Sequence, residues 1–130
     1  MAQSTKNKAT LSYLRGLGKA NEGTRHWWLQ RFTAIVLTPL TVWLILSLLN
    51  LVNTDHLDFI VWVAHTLNAV LLITFLAFVF YHAQLGMQVV LEDYVSPHRL
   101  RVLSVRFVQC LCLGMAVLSI FSILKIVFES

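Results

Sequence analysis

The sequence predicts an all-α membrane protein with three transmembrane helices, and three observations carry that prediction. Hydrophobic residues make up 58% of the 130, with a mean hydropathy of +0.73, against roughly 45–50% in average globular chains. The excess gathers in three blocks, about residues 32–52, 59–91 and 103–128. Each is long enough to supply the ~20 helical residues that cross a hydrocarbon core of about 30 Å. Charge, finally, flanks the blocks instead of interrupting them. Lys6, Lys8, Arg15, Lys19, Arg25 and Arg31 precede the first block, Asp55 and Asp58 lie between the first and second, and Arg99, Arg101 and Arg106 fall between the second and third or at the start of the third. The positive-inside rule then places the N-terminus and the second loop on the inner side and the first loop and C-terminus on the outer side. The net charge of +4 is thereby topological, so membrane lipids are expected partners and nucleic acid is not.

Residues 1–30 read as a polar, interfacial N-terminal segment on the inner side. They hold no continuous apolar run of the kind a cleavable signal requires. Gly16 and Gly18 are expected to break any long helix in it, and Thr24 is a candidate N-cap. Trp27 and Trp28 belong at the headgroup level, where an indole is wetted on one side.

Residues 31–130 form the three-helix transmembrane anchor domain, with helices at about 31–52, 59–91 and 103–127. Pro39 is expected to kink the first, with Thr38 and Thr41 helping to satisfy the carbonyls it frees. Arg31, at the inner boundary, either snorkels to lipid phosphate or turns inward to an anionic ligand group. The short loop 53–58 makes helices one and two antiparallel neighbours, with Thr54 or Asp58 as cap. Helix two exceeds the minimum span, so it tilts or projects beyond the bilayer. Ser96-Pro97 ends it. Helix three offers Ser104, Gly114, Ala116, Ser119 and Ser122 for close packing. Cys110 and Cys112 point about 200° apart on a helix and cannot bridge within it, so they read as packing residues.

Motifs for independent catalysis are missing: no glycine-rich phosphate loop, no HExxH and no mid-membrane carboxylate pair. The chain alone is a poor candidate for an enzyme. One stretch does carry chemistry, Tyr81-His82-Ala83-Gln84-Leu85-Gly86-Met87-Gln88-Val89-Val90-Leu91-Glu92-Asp93-Tyr94. At about 100° per residue, Gly86 lies roughly 40° and Asp93 roughly 20° around the helix from His82. An imidazole in the inner half of a span is costly unless it is used, and neutral imidazole is a common axial ligand of haem iron. Gly86 supplies either room for a macrocycle or a helix-packing notch. His65, 17 residues earlier, sits about 25 Å away and roughly 100° round the helix, so the two histidines cannot share a metal. His26, His56 and His98 fall at boundaries or in loops, so a six-coordinate haem would need its second ligand from another chain. Tyr94 at the inner interface is either an aromatic-belt residue or a phenol donor to a quinone carbonyl, with Asp93 to orient it or relay protons.

These residues together resemble the D-type hydrophobic membrane anchor of succinate dehydrogenase, respiratory complex II, in its alphaproteobacterial form. The family's helix-two pattern is His-Ala-x-x-Gly-Met with Asp-Tyr eleven and twelve residues after the histidine. Here it is met by His82-Ala83-Gln84-Leu85-Gly86-Met87 and Asp93-Tyr94. Arg31-Phe32-Thr33-Ala34-Ile35-Val36-Leu37 is similar to the family's Arg-x-Thr-Ala entry to helix one, and Leu14-Arg15-Gly16-Leu17-Gly18 and Glu22-Gly23-Thr24 to its leader.

The resemblance implies that His82 is one axial ligand of a haem b shared with a C-type sister anchor subunit. Tyr94 would hydrogen-bond ubiquinone, Asp93 would support that site, and Arg31 would lie near the haem propionates, with Arg25 and His26 as further candidates. FAD and iron–sulfur clusters would belong to the flavoprotein and iron–sulfur partner subunits, and the chain would lie in the bacterial inner membrane, N-terminus cytoplasmic and C-terminus periplasmic. Two other readings stay open: the anchor of a quinol:fumarate reductase, and a haem-free scaffold or assembly protein in which His82 and Gly86 only pack helices.

Overall fold

The computed structural model describes residues 1–16 and 21–130. Four helices follow in order: α1 (Ala2–Leu51), α2 (His56–Ala64), α3 (Thr66–Tyr94) and α4 (His98–Glu129). By length and composition α1, α3 and α4 are each able to cross a membrane, which gives the three spans expected. The chain divides into two compact units, Met1–Phe32 and Thr33–Ser130.

The N-terminal unit departs from expectation. A helix starts at Ala2 and passes through Gly16; Gly18 lies outside the described residues. A helical glycine costs only about 1 kcal/mol relative to alanine, and Gly16 stands in open space, so no packing conflict is added to that cost. Three hydroxyls fold back on the preceding turn, Thr5 to the Met1 carbonyl at 3.1 Å, Thr10 to that of Lys6 at 2.9 Å and Ser12 to that of Ala9 at 2.8 Å. Thr24 caps nothing, because it lies inside α1. Trp27 and Trp28 meet edge to face, 5.1 Å between centroids.

The second unit holds the core, and it is small. Thr33, Leu37, Val63, Ala69 and Leu85 are its buried residues, and α4 contributes none. Large apolar side chains instead stand outward, such as Ile35, Leu49, Leu118 and Phe121, the arrangement expected where lipid or other apolar helices are the solvent. Two tryptophans join α1 to α2, Trp43 stacking on Trp62 at 5.8 Å.

Pro39 lies within an unbroken α1. The carbonyl it leaves without a donor is that of Ile35. Thr38 and Thr41 do not reach it: their hydroxyls bond the carbonyls of Ala34 at 2.8 Å and Leu37 at 2.7 Å. At the first loop Thr54 likewise closes the end of α1, donating to the Leu51 carbonyl at 2.8 Å, and the N-cap of α2 is Asp55, without a side-chain bond.

The single helix expected over 59–91 is instead two, parted at His65, and the span is α3 alone. That residue takes an extended conformation, φ −62° and ψ 125°, between α2 and α3. The Asn68 side chain donates to the Trp62 carbonyl at 2.9 Å, occupying one of the acceptors that the end of α2 frees. Ser96-Pro97 ends α3 and turns the chain as expected, with Pro97 itself the N-cap of α4. Of the small residues on α4, Ala116 faces α3 across a groove of about 290 Å³ that also takes in Ala77 and Cys112. Gly114 has nothing within 4 Å, and the hydroxyls of Ser119 and Ser122 turn to their own helix, each at 2.8 Å. Both cysteines are free, Cys110 exposed and Cys112 half-buried.

Candidate functional site

The site is assembled by α3. From Thr66 to Tyr94 that helix is continuous, so the angular relations between His82, Gly86 and Asp93 read from the sequence apply to it. His82 is half-buried, as is Gly86 one turn on. Leu85 beside them is buried, at 4% exposure, which holds this face of α3 against the core.

The His82 ring is held from another helix. Its Nδ1 lies 2.8 Å from the Thr33 hydroxyl of α1, 49 residues away. Thr33 is only 2% exposed and is the most deeply buried side chain. The other ring nitrogen, Nε2, makes no hydrogen bond among the described residues. The donor set thus fits a single axial ligand: one imidazole nitrogen is fixed and the other is left with no competing partner. Among the described residues no three His, Cys, Asp or Glu side chains come together as a metal site.

Thr33 was contained in the quoted Arg31–Leu37 stretch but was not singled out. A lone threonine in an apolar helix ordinarily bonds its own backbone, as Thr38 and Thr41 do. The available signal was its i, i+4 relation to Leu37, which puts a hydroxyl on the one face of α1 that turns inward.

Asp93 and Tyr94 end α3, and both are exposed, Tyr94 at 83%. Neither makes a hydrogen bond or ion pair among the described residues. Their neighbour Glu92 accepts a bond from Gln88 at 2.9 Å. About 18 Å of helix rise separates Tyr94 from His82, so the histidine and the Asp-Tyr pair are two stations on one helix. His98, at the start of α4, lies 3.3 Å from the Arg101 guanidinium.

Arg31 belongs to the N-terminal unit, with its guanidinium 5.2 Å from the centre of the Trp27 ring. That is cation–π distance. In the same unit His26 Nε2 is buried and has no hydrogen-bond partner among the described residues. His65 is exposed at the α2–α3 break.

Three helices able to span a membrane, with one imidazole hydrogen-bonded from a neighbouring helix, define a small multi-pass membrane protein. Comparison with known proteins narrows the class. The family model for the succinate dehydrogenase/fumarate reductase transmembrane subunit matches residues 5–121, and the chain belongs to that family. It is 39% identical to the succinate dehydrogenase hydrophobic membrane anchor subunit of Rickettsia conorii over 107 residues, 82% of this chain and 85% of the relative. With the protein of the same description from Rickettsia felis it shares 44% identity over 94 residues, 72% and 78% of the two chains. A more distant relative, the succinate dehydrogenase membrane anchor subunit of Reclinomonas americana, is 24% identical over 98 residues, 73% and 82% of the two. No solved structure matches.

Proposed function

We propose that this chain is the membrane anchor of a succinate:ubiquinone oxidoreductase, holding the flavoprotein and iron–sulfur subunits to the inner bacterial membrane with help from a sister anchor subunit. The N-terminus is cytoplasmic and the C-terminus periplasmic, a reading supported by the placement of Lys and Arg around the spans. The observation that carries the reading is the His82 ring, bonded through Nδ1 at 2.8 Å and open at Nε2, in a member of this family. Relatives described as succinate dehydrogenase anchors favour that direction over fumarate reduction.

In this reading His82 supplies one axial nitrogen to a haem b whose second ligand comes from the sister subunit. When bound, such a haem supplies a one-electron redox centre inside the membrane. The remaining work is done by side chains of this chain. Tyr94, exposed and without a hydrogen-bond partner among the described residues, donates its O–H to a quinone carbonyl oxygen. Asp93 beside it orients the phenol or carries a proton toward the reduced quinone. Arg31 offers a fixed positive charge to propionates, and its stacking on Trp27 limits the rotamers it must give up to do so.

The test is made on the purified complex. His82→Ala is expected to abolish the b-type absorbance while the flavoprotein and iron–sulfur subunits still co-purify. An unchanged haem spectrum removes His82 as ligand, and a haem-free wild-type complex supports the scaffold reading instead.

A further inference from the structure

We infer that Thr33 is a positioning residue for His82: its hydroxyl oxygen accepts the Nδ1–H of the imidazole, which fixes the tautomer and leaves the Nε2 lone pair for iron. This rests on the haem-ligand reading above and deepens it, since that reading says nothing about what holds the ring.

Burying a hydroxyl is unfavourable unless it is hydrogen-bonded, and Thr33, at 2% exposed, is the one polar side chain in a core otherwise made of Leu37, Val63, Ala69 and Leu85. Core packing alone would be served by valine, which has nearly the same shape. Five other hydroxyls in the spanning segments turn to their own helix: Thr38, Thr41, Thr74, Ser119 and Ser122 each bond the carbonyl four residues back. Thr33, whatever else it bonds, also has a partner 49 residues away on another helix.

The hydroxyl has one proton and two lone pairs, so it can meet Nδ1 in either sense. If it donates, the ring proton moves to Nε2 and that nitrogen has no lone pair for a metal. If it accepts, Nδ1 carries the proton and Nε2 is a ligand. Iron at Nε2 selects the second arrangement, and the Thr33 oxygen then does two things. It sets the ring plane by tying it to α1, and it raises the basicity of the ligating nitrogen by drawing on the Nδ1 proton, as outer partners of ligating histidines do. A more basic ligand favours the ferric state over the ferrous one. Thr33 therefore keeps the midpoint potential lower than an unassisted imidazole would.

Wild-type complex is compared with Thr33→Val, Thr33→Ser and His82→Ala, reading haem content, the midpoint potential by redox titration and the ferric EPR g-values. Thr33→Val is expected to hold ferric haem roughly three- to tenfold less tightly, the worth of one neutral hydrogen bond, with a raised midpoint potential and shifted g-values. Thr33→Ser keeps the acceptor and is expected to restore all three. Should the valine complex not assemble, Thr33→Ala, which introduces no clash, gives the same readings. An unchanged potential and EPR spectrum in Thr33→Val or Thr33→Ala, with haem lost from His82→Ala, overturns the role of Thr33 and leaves the ligand reading standing. Haem retained in His82→Ala overturns both.

Discussion

Two histidines lie in the stretch 59–91, and the structure treats them in opposite ways. His65 falls at a break in the helix, exposed and extended, and the polar work around it is done by Asn68, whose side chain bonds the Trp62 carbonyl at 2.9 Å. His82 sits within continuous helix, half-buried, with one ring nitrogen bonded to a hydroxyl from α1 at 2.8 Å. The first environment asks nothing of an imidazole that another polar residue would not provide. In the second, the side chain is oriented and one nitrogen is bonded, while the other makes no hydrogen bond among the described residues. An intramembrane ionisable group is a functional candidate by default; of the two, only His82 is also held from a second helix.

The comparison can be broken or sharpened at several points, and the largest effect is expected at His82 itself. His82→Ala should remove the b-type absorbance, while His65→Ala should leave it unaltered in the same preparation. Equal haem loss in both would erase the distinction. Next in size is Tyr94→Phe, expected to slow quinone reduction by about tenfold, the upper worth of one hydrogen bond. Succinate oxidation with an artificial acceptor should stay near wild type. A fall in both rates together would instead indicate failed assembly. Smaller again is Trp43→Ala, which removes the stack on Trp62. It should lower the stability of the isolated chain in detergent by about 0.5–1.5 kcal/mol beyond the lost area, measured by thermal unfolding. The smallest effect belongs to Asn68→Ala. Losing its bond to the Trp62 carbonyl should cost about 0.6 kcal/mol, a typical value for such bonds between membrane segments, and should speed amide exchange at the α2–α3 junction without touching the haem.

Much of this was legible in the sequence, and the parts that were not have a common cause. Three spans follow from apolar length alone, and the turn at Ser96-Pro97 from backbone chemistry, because both signals are local. The break at His65 carries no such mark: residues 56–75 contain neither proline nor glycine, and a side chain three residues downstream makes the break tolerable. The helix through Gly16 differs from expectation for the opposite reason: a helical glycine costs only about 1 kcal/mol and does not by itself stop a helix. At the site, His82 announces itself as an imidazole in an apolar run. Thr33 does not, since its importance lies in a partner 49 residues away, and pairing at that distance is settled by how α1 packs on α3.

The most direct measurement uses a complex in which the His82 side chain has been removed and then resupplied. In His82→Gly the ferric EPR signal should lose the pattern of a bis-nitrogen six-coordinate haem, and millimolar imidazole in the buffer should restore it. A spectrum of the glycine variant that matches wild type before imidazole is added would contradict ligation by His82.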